Sequence, residues 1–166
     1  KTAIADLITQ LNKVQSLISS QIASSTEADG KITLGVLASE TLPTEIAREL
    51  RSKITGDVSG ITSTIKRLES IGYTSTGYTN EITLNDSEKL DSALRDNLGQ
   101  IKSLFTTETY GVGIAMYDYL DNVLDDDGAM ATTQKNMTDQ VTDITEQIAA
   151  QERQVQSNRD RLIRSF

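Results

Sequence analysis

The chain has 166 residues and a formal net charge of −8, from 24 acidic and 16 basic side chains, with no cysteine and no histidine. That length suits a single domain able to bury a core. The acidic balance, without any Lys/Arg cluster, excludes a phosphate-backbone partner, so no nucleic acid is expected.

Lacking cysteine, the chain has neither a disulfide framework nor a thiolate site, which leaves the compartment open. No apolar run approaches the roughly 20 residues of a membrane-spanning helix, so membrane insertion is not expected. No signal peptide is expected from this stretch. The chain opens in mid-helix at Lys1 without Met, which predicts a fragment of something longer.

Ile4, Leu7, Leu11, Val14 and Ile18 recur at helical spacing, with Ile8 and Ile22 widening the stripe, which predicts an amphipathic helix from about Thr2 to Ala23. Ser24 to Lys31 is loop chemistry, with Asp29-Gly30 as a turn signal, and a short Ile32-Thr33-Leu34 stretch follows. Thr41 or Ser39 can then cap a helix through Leu42, Ile46, Leu50 and Ile54, with Pro43 in its first turn. Gly56 and Gly60 break this helix. The spacing of Ile61, Ile65 and Leu68 predicts a shorter one over Ile61 to Ile71, closed by Gly72.

Strand chemistry gathers between Tyr73 and Leu84, around a Gly77 turn, and predicts a small hairpin. Asp86 caps a helix through Leu90, Ala93 and Leu94. Asn97 to Phe105 gives another, with Ile101, Leu104 and Phe105 inward. Gly111 and Gly113 make a corner before a helix carrying Ile114, Tyr117, Leu120 and Leu124, which Asp125-Asp126-Asp127-Gly128 closes.

Ala129 to Phe166 is the longest helical pattern, about 55 Å at 1.5 Å per residue. Val141, Ile148, Val155 and Leu162 repeat at seven-residue spacing, with Met130, Met137 and Ile144 at the companion position, which is a coiled-coil seam. The companion position turns polar at Gln151 and Asn158, which lowers apolar burial while favouring one register. Alternatively these two are a frayed helix end. The first helix shares this heptad phase, so the two seams are expected to face each other, leaving part of the longer helix for another partner. The predicted architecture is mainly α: a helical bundle or coiled coil of long N- and C-terminal helices, with short helices and a small β-hairpin.

The acidic run before Gly128 invites a calcium reading, but the last position of such a loop would be Asn136 rather than Glu, so a solvated turn is preferred. Without His or Cys, and with Ser19, Ser20, Ser24 and Ser25 lacking a neighbouring base, neither acid–base nor nucleophilic catalysis has a candidate constellation. No enzyme activity, metal or cofactor is expected. Tyr73, Tyr78, Tyr110, Tyr117 and Tyr119 could form an interaction surface, although Tyr117 is expected in the core. Asn136-Met137-Thr138 is a glycosylation triplet, but it lies within a helix.

The order of these signals resembles the C-terminal region of the bacterial flagellar cap family, also called flagellar hook-associated protein 2. The resemblance rests on Ile71-Gly72-Tyr73, Ile82-Thr83-Leu84-Asn85-Asp86, Lys89-Leu90, Ala93-Leu94, Asn97, Ile101 and Leu104-Phe105. It continues through the Gly111-x-Gly113 corner, the Asp-rich turn ending at Gly128 and the coiled-coil terminus closing on Phe166. Asn12-Lys13-Val14-Gln15 and Arg48-Glu49-Leu50-Arg51 also fit. Leu98 stands where the family usually has Pro, and Asn85 where it often has Asp.

The resemblance implies a secreted, non-enzymatic protein, exported without a cleaved signal peptide, that forms a ring-like homo-oligomer at the distal end of the flagellum. It implies flagellin, further copies of itself and the hook–filament junction proteins as partners, and a preceding N-terminal coil and β-rich outer domains. The expected oligomer interface is the terminal seam: Val141, Ile144, Ile148, Gln151, Val155, Asn158, Leu162 and Phe166. The other readings are a host-surface (mucin) adhesin and a cytoplasmic coiled-coil scaffold, the latter favoured by the heptads alone.

Overall fold

The computed structural model describes residues 1–75, 77 and 79–165. Tyr78 and Phe166, both named above, lie outside the described residues. The fold is mainly α, with long first and last helices, shorter helices between them and small antiparallel hairpins. In order it runs α1 (Thr2–Ile22), β1 (Ser25–Thr26), β2 (Ile32–Thr33), α2 (Leu42–Thr55), a 3₁₀ turn (Leu68–Ile71), β3 (Tyr73–Ser75), β4 (Ile82–Leu84), α3 (Ser87–Asp96), α4 (Leu98–Thr106), α5 (Val112–Leu124) and α6 (Ala129–Ser165). The chain divides into two compact units, Lys1–Asp121 and Asn122–Phe166.

In the first unit the core is built from single faces of short elements. Leu50, Ile54, Ile71, Leu90 and Leu104 are fully enclosed, with Ile8, Leu11, Leu68, Tyr73 and Ile82 around them. Burying side chains of this size contributes about 1.5–3 kcal/mol each, which is what holds helices of nine to fourteen residues in place.

The face by which α1 docks is shifted from the expected one. Ile8, Leu11 and Gln15 are buried, while Val14 and Leu17 are exposed, and the elements packed on α1 are α2 and β4. The expected stripe of Ile4, Leu7, Leu11, Val14 and Ile18 is thus displaced onto Ile8, Leu11 and Gln15 within the first unit. The reason is polar: Gln15 Nε2 donates to the Ala47 carbonyl of α2 at 2.8 Å, and Asn12 bonds to Ile82 of β4, so side-chain amides set the rotation of the helix.

The helix expected over Ile61–Ile71 is reduced to its last turn, the 3₁₀ segment at Leu68–Ile71. Upstream, Ser63 Oγ accepts the Ile65 N–H at 2.9 Å and donates to Gln100 Oε1 at 2.7 Å, and the Thr64 hydroxyl donates to the same oxygen at 3.0 Å. These hydroxyls give the backbone an alternative to the helical ladder, while Val58 and Ile65 still reach the core.

The Ser24–Leu34 stretch, expected as a loop and a short apolar stretch, closes into a hairpin pairing Ser25 with Thr33 and Thr26 with Ile32. Thr41 occupies the N-cap of α2 but makes no side-chain cap bond. Asp86 caps α3 as expected, its Oδ1 accepting the Lys89 N–H at 2.8 Å.

The β3–β4 hairpin pairs Tyr73 with Leu84, Thr74 with Thr83 and Ser75 with Ile82. Gly72 makes the entry possible. It sits at φ 91°, and a Cβ there would lie 2.2 Å from the Asp86 carbonyl oxygen, so only glycine can both turn the chain and admit that approach. On α5 the buried positions include Val112 and Met116, and Tyr117, expected in the core, is 66% exposed. The inward stripe thus lies one residue ahead of the expected one.

Candidate assembly interface

In the second unit, α6 runs uninterrupted from Ala129 to Ser165 and contains no buried residue. Val141, Ile144, Ile148, Val155 and Leu162 are 52–68% exposed. The three-and-four alternation of these positions with Gln151 and Asn158 places all seven on one face of the helix, with the slow drift of a straight helix against a seven-residue repeat. The eighth expected position, Phe166, is outside the described residues. Met130 is also exposed and Met137 is half-buried, so the apolar stripe extends toward the start of the helix.

The borders of this stripe are neutral over its first half and charged over its second, where Glu152 and Arg159 on one side and Arg161 on the other take the same heptad positions. Thr138 and Thr145 turn their hydroxyls onto the carbonyls of Gln134 and Val141, four residues earlier, and Gln140, Gln147 and Gln154 occupy the other border. The charged pairs, Lys135 with Asp139 at 3.1 Å and Arg159 with Asp160 at 3.5 Å, are formed within the helix itself.

The two polar stripe positions differ. Arg161 Nη2 donates to Asn158 Oδ1 along the helix, whereas the Gln151 amide has no hydrogen-bond partner among the described residues. Burying Gln151 against a partner therefore requires that partner to supply a donor and an acceptor.

The acidic turn is closed by its own backbone, the Gly128 N–H donating to the Asp125 carbonyl at 2.8 Å. No group of His, Cys, Asp or Glu among the described residues is arranged to hold a metal. Among the described residues no helix is long and apolar enough to cross a membrane.

The tyrosines among the described residues do not form one surface. Tyr73 is buried and Tyr110 and Tyr117 are exposed. Tyr119 is half-buried, with the Lys53 ammonium 5.3 Å from its ring centre. Burial pushes the Tyr73 phenol above its ordinary range, slightly offset by Lys1. Burial also raises the Tyr119 phenol, helped by the nearby Glu49 and Glu45 carboxylates and opposed by Arg48.

Three polar residues that sequence reasoning named only as points of family resemblance organise the first unit. Asn12 ties α1, and Arg51 ties α2, to the β3–β4 hairpin, while Gln15 ties α1 to α2. Arg51 donates from Nη1 to the Thr79 carbonyl at 2.8 Å and Asn80 Oδ1 at 2.9 Å, and from Nη2 to Ser75 Oγ at 2.7 Å. The available signal was Gln15 interrupting the Ile8, Leu11, Ile18 spacing on α1.

No curated protein matches the chain in sequence. Among solved structures, it is similar to the crystal structure of the flagellar cap protein FliD D1-D2-D3 domains from Escherichia coli. That likeness has a TM-score of 0.68 at 23% identity over 81% of this chain, and it carries the fold alone. The chain spans 35% of the length of that structure. The sequence signals from the Gly72 step to the long terminal seam are those of one family, and the family's own sequence model, described as Flagellar hook-associated protein 2 C-terminus, matches residues 1–166. The chain belongs to the flagellar hook-associated protein 2 family, C-terminal region.

Proposed function

We propose that this chain is the helical C-terminal part of a bacterial flagellar filament cap, which retains exported flagellin at the distal tip and promotes its assembly without catalysing a reaction. The carrying observation is the family match over residues 1–166. The exposed stripe of α6 supports it, because an apolar seam of this length is stabilised only by partner surface.

On this reading Val141, Ile144, Ile148, Gln151, Val155, Asn158 and Leu162, together with Phe166, form the contact between copies in a ring-like oligomer or with the rest of the same protein. Over the first half of the stripe the neutral Thr and Gln borders impose no repulsion between like helices. The protein works outside the cell, having left through the flagellar export route without a cleaved signal peptide. Flagellin and the hook–filament junction proteins are its neighbours.

The test is where flagellin goes in a strain lacking the gene. Loss of filaments with monomeric flagellin in the medium, reversed by adding the purified intact protein, is the expected result. Normal filaments in that strain would overturn the reading.

A further inference from the structure

The two edges of the β3–β4 hairpin are treated differently. Thr74 and Thr83 face each other in the register, and the Asn85 N–H donates to the Gly72 carbonyl at 3.0 Å. In an antiparallel pair the bonded positions alternate, so the main-chain groups of Tyr73 and Ser75 on one strand, and of Ile82 and Leu84 on the other, point away from the hairpin. Ile82 is satisfied by Asn12 of α1 through both its N–H and its carbonyl. The outward N–H and C=O groups of Tyr73 and Ser75 have no partner among the described residues.

That unpaired edge, where Tyr73 is buried and Ser75 half-buried, borders a cleft of about 260 Å³ walled by Arg51 and Thr55 of α2, with Leu68, Tyr73 and Ile82 as its apolar lining. Thr74 lines it too, although its side chain lies on the opposite face of the hairpin, bonded to Asn85. The cleft therefore reaches the main chain of β3 as well as the face of the sheet.

Arg51 supplies the polar end of the cleft. A guanidinium carries five N–H donors. Three go to the neutral oxygens of Thr79, Asn80 and Ser75, leaving Nε–H and one Nη2–H, and no carboxylate of the described chain lies in ion-pair contact with Arg51. Glu69, also in the cleft, has Arg67 3.7 Å from its carboxylate.

We infer that this cleft is a docking site for an extended polypeptide segment of a partner, which adds as a strand to the outer edge of β3 and places an Asp or Glu carboxylate on Arg51. Main-chain bonding to Tyr73 and Ser75 supplies the affinity common to strand addition, and the two remaining donors of Arg51 supply the selectivity. This inference stands apart from the cap reading and uses a surface distant in sequence from α6.

The test is a titration of the isotope-labelled chain with a blocked pentapeptide of alternating valine and threonine carrying one central aspartate. The expected result is saturable shifts at the Tyr73 and Ser75 amides and at Arg51 Nε–H, with slowed hydrogen exchange at both amides. Replacing the aspartate by asparagine should weaken binding about tenfold or more, as expected for a charge-assisted pair, and methylating the alternate peptide nitrogens should abolish it. Absence of shifts at those amides at millimolar peptide would overturn the site. Slow exchange of both amides in the free chain would do the same, because the edge would already be paired. Equal affinity for the asparagine peptide would overturn the role of Arg51. Because the comparisons vary the peptide, they do not depend on how a substituted Arg51 folds.

Discussion

The side-chain amide of Asn12 stands in for a neighbouring strand: its Nδ2 donates to the Ile82 carbonyl at 2.8 Å and its Oδ1 accepts the Ile82 N–H at 2.9 Å. One helical residue thereby closes an edge of the β3–β4 hairpin and fixes how α1 is rotated. Replacing Asn12 with leucine leaves a buried N–H and C=O unpaired, which should cost about 1–3 kcal/mol. Urea denaturation should show a lower midpoint with an unchanged slope, and faster exchange at the Ile82 amide.

Gln15, three residues on, makes the opposite case. It is 1% exposed, its Nε2 is bonded to the Ala47 carbonyl, and its Oε1 has no partner among the described residues. The Ala47 carbonyl lies within α2 and keeps its helical bond without Gln15. Gln15→Met removes the buried orphan oxygen, so its effect should stay within about 1 kcal/mol of zero and can be stabilising. Comparing the two substitutions by denaturation separates a satisfied amide from a half-satisfied one.

Gly72→Ala should be among the most damaging single changes in the first unit. The backbone at φ 91° is unfavourable for alanine, and the added Cβ would lie 2.2 Å from the Asp86 oxygen. A loss of at least about 2 kcal/mol is expected, measurable as a fall in thermal midpoint with the β3–β4 amides the first to lose protection.

Ile148→Gln on α6 should leave the stability of the isolated chain within about 0.5 kcal/mol, since the side chain is 52% exposed and substitutions at such positions cost little. If the stripe is the assembly surface, the same change should lower self-association of the intact protein in sedimentation and reduce filament formation. Unchanged assembly with the double substitution Ile148→Gln, Val155→Gln would remove α6 from that role.

The raised phenols predict the alkaline limit. Tyr73 and Tyr119 hold their protons more tightly in the folded chain than at the ordinary value of 10.0. Above pH 10 the unfolded chain therefore loses protons first, and stability falls as pH rises. Their contribution is fully present below pH 10. Tyr119→Phe should flatten part of that decline in a pH series of denaturation midpoints, while leaving the neutral range unaffected.

Periodicity read α2 and the extent of α6 well, and misread the inward face of α1 and α5. The terminal seam from Val141 to Leu162 and the α2 stripe of Ile46, Leu50 and Ile54 depend on spacing within one helix, which a sequence displays directly. So does the Asp86 cap, whose acceptor and donor lie three residues apart. The sequence by itself therefore determined the mainly α class, the helix order and the apolar stripe of α6.

Other features depend on partners far away in the chain. The rotation of α1 was decided by Ile82 and Ala47, 70 and 32 residues from the amides that bind them. The loss of a helix over Ile61–Leu68 was decided by Gln100, and the cleft at β3 by Arg51 reaching across to Ser75 and Thr79. A side-chain amide or guanidinium can be solvated or bonded with equal local propensity. Only the tertiary structure brings the distant carbonyl within hydrogen-bond reach, and burial then makes that bond costly to leave unmade.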